Sequence, residues 1–184
     1  MSILSKLLAI IVAVSLVQCK FDFGENKVSG EGPVVTKNLE IEDFSAIDVS
    51  NGWNVELIPG QPKQMVVKAN KNLIDILKVK SSNGKLSISA KDNIGKADSK
   101  LIKVYFDNKL KSIEASSASD ISAKEKLVFE STTIDASSAA DIKLNIKAEE
   151  LEVESSSSAD IELIADSKKI RIDASSSADI NIEG

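Results

Sequence analysis

The sequence predicts an all-β fold, a single-stranded parallel β-helix with an irregular N-terminal cap. Three observations predict it. First, one phrase recurs four times: "IEASSASDI" from Ile113, "IDASSAADI" from Ile134, "VESSSSADI" from Val153 and "IDASSSADI" from Ile172. The acids it carries, Asp120, Asp141, Asp160 and Asp179, are spaced 21, 19 and 19 residues apart. A fixed period near 20 marks a stacked repeat. Second, apolar residues alternate within each copy. In the third, Val153, Ser155, Ser157, Ala159, Ile161 and Leu163 share one parity, and Glu154, Ser156, Ser158, Asp160 and Glu162 the other. Period two means a strand with one set turned inward. Third, the chain is 42% hydrophobic but only 4% aromatic, so its core is built from aliphatic side chains.

The elements follow in order. Residues 112–184 hold the regular repeats, each forming a rung of about 19–22 residues, hydrogen-bonded to the next at about 4.8 Å. "KAEE" (147–150) and "ADSKK" (165–169) read as connecting turns. The Ser/Ala runs suit places where two walls approach or the chain bends. The pattern also begins earlier. "IDVSNGWNVEL" (47–57) aligns without a gap on "IDASSAADIKL" (134–144), with Asn54 at the Asp position. The 66 residues from Ile47 to Ile113 amount to about three periods, which predicts further irregular rungs over 58–112. That stretch contains the alternating runs "QMVVKAN", "LKVKSSNGKLSISAK" and "LIKVYF", a short helix at "KNLIDILK", and an Asn-Gly hairpin turn at "SNGK" (82–85). Residues 39–111 thus form the irregular cap of a β-helix domain spanning 39–184.

The first 18 residues have one positive charge, Lys6, and an apolar run from Leu7 to Val17. That run is too short for a bilayer span, which takes about 20 residues, and fits a secretory signal. It stops at Cys19, the only Cys, which leaves no intrachain disulfide. This arrangement resembles a bacterial lipoprotein signal, with Cys19 the lipid-modified residue, 1–18 removed, and 19–38 ("KFDFGENKVSGEGPVVTKN" after Cys19) a tether. It implies an exported chain, held to the membrane by the anchor on Cys19 in the cell envelope, at the outer membrane.

The tether with "GEGPVVT", then "IEDFSAIDVSNGWNVELIPGQ", then "VVKANKNLIDILKVKSSNGKLSISAK", then the Ser/Ala/Asp-Ile repeats together resemble the putative auto-transporter adhesin, head GIN domain family. The resemblance covers about residues 30–184. It implies a right-handed β-helix, a surface role and no established catalytic residues. This chain carries Asn51, Gly52 and Trp53 where that family has small residues.

Composition narrows the function. Formal net charge is −5, and no His is present. An acidic chain lacks the basic surface that nucleic acid requires. Without His, Ser-His-Asp and Cys-His catalysis are excluded. The charge divides unevenly. Residues 113–184 hold 16 acids against 7 bases, and residues 1–112 hold 12 against 16.

Four features are candidates for function. The ladder Asp120, Asp141, Asp160, Asp179 and a second acidic row, Glu114, Asp135, Glu154, Asp173, stack like charges about 5 Å apart. A Ca²⁺ ion, which takes six to eight oxygens, is one partner for the ladder. A carboxylate cluster for polysaccharide cleavage is another reading. The favoured reading is that each Asp bonds its own backbone at a turn and faces water, with no cofactor. The Ser runs offer hydroxyls for glycosylation or a repetitive surface, or serve as small residues. Trp53 is either an exposed sugar-stacking platform or, by its parity with Ile47, Val49, Val55 and Leu57, part of a wide core. Lys63, Lys68, Lys71, Lys78, Lys80, Lys85 and Lys91 make the cap basic, facing anionic head groups, envelope polysaccharide or solvent.

The functional expectation is a non-catalytic envelope lipoprotein, adhesin-like, binding an extracellular polysaccharide or protein through a rigid acidic surface. A carbohydrate-active enzyme using the stacked acids competes weakly, since Arg171 is the only Arg. A structural or assembly role is the third reading.

Overall fold

The computed structural model describes residues 27–184 apart from 61 and 108. The signal segment and Cys19 lie outside the described residues.

The first turn of the fold follows from the alternating stretch after residue 33. β1 (Val34–Glu40) pairs antiparallel with β4 (Gln64–Asn70), so part of the expected tether is strand. β4 pairs antiparallel with β7 (Lys100–Phe106). Between β4 and β7 lie the short helix α1 (Lys71–Ile76), expected at "KNLIDILK", and the hairpin of β5 (Leu77–Ser82) and β6 (Lys85–Ala90). Asn83 and Gly84 make its turn with φ of 52° and 73°, the left-handed pair a two-residue hairpin demands.

β2 (Ala46–Val49) and β3 (Asn54–Pro59) form the first layer that reads like the repeats. β8 (Ser112–Ala115) and β9 (Asp120–Ser122) form the second, followed by β10 (Leu127–Ala136), β11 (Asp141–Ser155), β12 (Asp160–Ala174) and β13 (Asp179–Glu183). All of these stack in parallel. Asp120, Asp141, Asp160 and Asp179 are direct cross-strand partners. The gapless alignment of 47–57 on the repeat holds in space, because Ile47 pairs with Ile113 and Asn54 with Asp120.

The expected fold class is corrected. The protein is all-β, but it is one mixed sheet of thirteen strands curled into an open half-barrel, not a right-handed parallel β-helix solenoid. One flank runs β1-β4-β7-β3-β9 and the other β5-β6-β2-β8-β10, and both meet on the long strand β11. The antiparallel strands decide the class. Asn83-Gly84 and the return of β4 alongside β1 turn the chain back on itself, so β4 and β5 run against their neighbours, while β6 and β7 lie parallel to β2 and β3.

Two further expectations change. Residues 58–112 place no rung between Ile47 and Ile113, which are neighbours; they fold outward on the far side of β2 and β3. "KAEE" and "ADSKK" are not turns but corners inside continuous strands. Glu149 and Lys168 drop out of the β11–β12 register, and both Glu149 and Glu150 face outward between buried Ala148 and Leu151. One unpaired residue bends a strand without ending it.

The Ser/Ala runs are tight turns. Ser117-Ala118, Ser138-Ala139, Ser157-Ser158 and Ser176-Ser177 all have φ between 53° and 62°. Each turn closes with an N–H to carbonyl bond three residues back, as from Ala140 N to Ser137 O at 3.2 Å. Successive turns bond each other, as from Ala139 N to Ser157 O at 3.1 Å. Asn51-Gly52, at 65° and 85°, is the same turn in its low-strain form. Inside the curl sits the aliphatic core. Ile47, Val55, Ile88, Ile102, Ile113, Ile134, Ile146 and Val153 are buried, each contributing about 1.5–3 kcal/mol relative to exposure.

Candidate functional site

The outer face of the β3-β9-β11-β12-β13 flank carries three polar rows. Strand alternation puts them there, since every second residue of a half-buried strand faces solvent. The first row is Asn54, Asp120, Asp141, Asp160, Asp179; the second is Glu56, Ser122, Lys143, Glu162, Asn181; the third includes Asn145, Ile164 and Glu183. Lys124, Lys143, Asn145, Glu162, Ile164 and Asn181 line a shallow open groove of about 390 Å³.

The Asp ladder is aligned as its spacing implied, and its members differ by depth. Burial pushes the Asp120 carboxyl up, with Lys100 opposing. Burial also raises Asp141, reinforced by the charges of Asp120, Asp160 and Glu162. Desolvation and like charge both disfavour the ionised form. A row of this kind does not converge. Among the described residues no three acidic, His or Cys side chains come together as a metal-binding group.

The other flank carries the second acidic row, and Asp48 extends it. Asp48, Glu114, Asp135, Glu154 and Asp173 are consecutive partners. Lys85 reaches this row from β6, 2.6 Å from Glu114 and 3.5 Å from Asp48. Burial pushes Glu114 up, but hydrogen bonds from Lys85 and Ser112 outweigh it and hold the carboxyl below its ordinary value. Burial together with the charge of Glu114 raises Asp135, and the more weakly felt charge of Lys85 only partly opposes them. Sequence reading missed Asp48, although the alignment of Ile47-Asp48 on Ile134-Asp135 contained the signal.

It also missed Glu56. This outward residue is only 7% exposed, because Lys124 at 2.9 Å and Lys103 at 3.7 Å close over it. The Lys124 hydrogen bond outweighs burial and holds the carboxyl below its ordinary value. No local motif announces this trio, which comes from three different strands and loops.

Trp53 lies in the core, 0% exposed, with Nε1 donating to Ser89 O at 3.1 Å. A ring so placed offers no face to a ligand. The cap lysines divide. Lys63 pairs with Asp43 and Asp107, Lys71 with Asp75, and Lys85 with the second acidic row. Lys68, Lys78, Lys80 and Lys91 are exposed. Between β11 and β12 the outer charges form cross-strand pairs: Lys143 with Glu162, Lys147 with Asp166, Lys168 with Glu149, Lys169 with Glu150 and Arg171 with Glu152. These exposed pairs balance charge more than they stabilise. Among the described residues no helix is long and apolar enough to cross a membrane.

A curled, mixed all-β sheet with ordered polar rows on its outer faces is the class of protein this geometry defines. A model of the family described as "Putative auto-transporter adhesin, head GIN domain" matches residues 43–184, and the chain belongs to that family. Solved structures share the fold. One from Parabacteroides distasonis ATCC 8503, described as a "putative lipid binding protein", is 18% identical with a TM-score of 0.75, covering 85% of this chain and 68% of that one. A "putative adhesin" from the same organism is 20% identical with a TM-score of 0.74, covering the same shares. A "putative adhesin" from Parabacteroides merdae ATCC 43184 is 16% identical with a TM-score of 0.56, covering 85% and 83%. Comparison with curated proteins returned no match.

Proposed function

We propose that this chain is a non-catalytic, adhesin-like protein of the cell envelope. On this reading it is lipid-anchored through Cys19 at the outer membrane and binds an extracellular or envelope ligand through the outer face of its sheet. The supporting observation is the register. Asp120, Asp141, Asp160 and Asp179 stand in line on one rigid sheet, beside the row of Ser122, Lys143, Glu162 and Asn181. Polar groups repeated at one strand spacing of about 4.8 Å match an extended, repetitive ligand better than a small molecule. A polysaccharide or a surface protein has that form. The groove beside the rows is open and shallow, which suits a polymer lying across it.

An enzymatic reading receives less support. Arg171 sits on the other half of β12, paired with Glu152, away from the Asp ladder. The acids lie in a row rather than around one reacting atom.

Binding of the chain to a glycan and matrix-protein array, with and without millimolar Ca²⁺, tests the reading. Retention of a polymer that is lost when Lys143 and Asn181 are both changed to Ala supports it. A blank array under both conditions counts against it. For the anchor, incorporation of labelled fatty acid into the expressed chain should vanish in Cys19→Ala; undiminished labelling would discard Cys19 as its site.

A further inference from the structure

A mixed sheet that does not close has free edges, and each free edge is a template for another strand. Among the described residues β1, β5, β13, the first half of β10 and the second half of β12 each have one. β11 pairs along one side of β12 from Asp160 to Ala174, while β13 covers the other side only over Asp160–Ile164. The uncovered stretch is also apolar on its inner parity. Ile170 is 39% and Ile172 53% exposed, whereas their partners one strand earlier, Leu151 and Val153, are buried.

An antiparallel pairing of any edge with its own copy sets residue k−1 against k+1, and like charges placed opposite one another destabilise. β5 about Val79 would set Lys78 against Lys80. β13 about Asn181 would set Asp179 against Glu183. β1 about its middle residue would set Lys37 against Lys37. In these registers the three edges set like charges against one another. β10 about Phe129 would set apolar Val128 against the charge of Glu130. β12 about Ile172 sets Arg171 against Asp173 twice, Ile172 against Ile172, and Ile170 against Ala174. In this register the edge is complementary to itself in both charge and apolar pattern.

We propose that residues 170–174 of β12 pair antiparallel with the same segment of a second copy of this chain, about a twofold axis through Ile172. The pairing extends the sheet across the axis and covers Ile170 and Ile172. It is isologous, so it closes at two copies. It leaves the outer rows of the β3-β9-β11 flank facing solvent in both copies, and it does not depend on what those rows bind.

Directly opposed residues in such a pair have Cα atoms about 4.5–5.5 Å apart, within disulfide range. The test is therefore mild oxidation of the full chain carrying Ile172→Cys, read on a non-reducing gel. The expected result is a linked dimer at least ten-fold above that of the unaltered chain and of Val128→Cys, an exposed apolar position elsewhere. Adding Asp173→Arg to Ile172→Cys should lower the linked dimer at least ten-fold by opposing two pairs of arginines. Adding Arg171→Asp as well should restore it, which a merely unfolded variant would not do. Equal linking at positions 128 and 172, or a dimer linked at 172 that is indifferent to Asp173→Arg, overturns the proposal. So does sedimentation of the unaltered chain as a monomer at about 100 μM.

Discussion

The stacked turns hold eight non-glycine residues at positive φ, and this makes a quantitative prediction. At Ala139, φ is 58°. A left-handed conformation costs an L-residue roughly 1–2 kcal/mol. Glycine removes that cost but gives back about 0.4–1 kcal/mol through the greater freedom of the unfolded chain. Ala139→Gly should therefore stabilise the fold by roughly 0.5–1 kcal/mol. Its methyl group is exposed, so no packing is lost. The backbone bonds from Ala139 N to Ser157 O and from Ala140 N to Ser137 O are kept. For a chain of this size, about 1 kcal/mol moves Tm by roughly 2–4 °C. The control is Ala136→Gly, three residues earlier in β10 and buried. There glycine weakens a strand and removes a buried methyl, and a loss of about 1 kcal/mol or more is expected. Urea denaturation followed by circular dichroism measures both. If Ala139→Gly destabilises as Ala136→Gly does, the turns are not held at positive φ and the account of the Ser/Ala runs fails.

Three other outcomes follow from the structure. Gly52→Ala keeps φ at 85° and brings a Cβ to 2.8 Å from Ile94 O, so it should cost about 2 kcal/mol or more in the same denaturation assay. Trp53 should emit at short wavelength and resist iodide quenching; a red-shifted, quenchable emission would place the ring outside the core. Raised carboxyls at Asp120 and Asp141 mean that the folded state binds more protons than the unfolded one, so stability falls as pH rises from the unfolded value near 3.9 through the raised folded values. Asp141→Asn should flatten that fall and leave the protein more stable at pH 7, as read by thermal melts across pH 3 to 7; an unchanged slope contradicts it.

Much of this protein is legible along the chain. Alternation of Val153, Ala159, Ile161 and Leu163 against charged neighbours is local chemistry, and it determines strand and face without reference to the fold. The period of the Asp-Ile phrase determines that copies stack in parallel, and the gapless alignment of "IDVSNGWNVEL" places Asn54 beside Asp120. Asn83-Gly84 determines a hairpin, because only such residues adopt its turn cheaply. The polar rows are legible for the same reason: a fixed period on an alternating strand must put like residues in line.

Tertiary structure decided the rest, because it depends on which strand edges meet. Sequence distance is a poor guide to that. Ile47 and Ile113 lie 66 residues apart yet are cross-strand partners, since the intervening strands fold to the outer side of β2 and β3 and leave that edge free for β8. One hairpin and one returning strand convert a parallel stack into a mixed, open sheet, and no local pattern states which edge each will join. The closure of Lys103 and Lys124 over Glu56 depends on the same choice, as does the pairing of Lys85 with Asp48 and Glu114. Repeats specify their neighbours by being alike; unlike segments are placed only by competition for the free edges that the repeats leave.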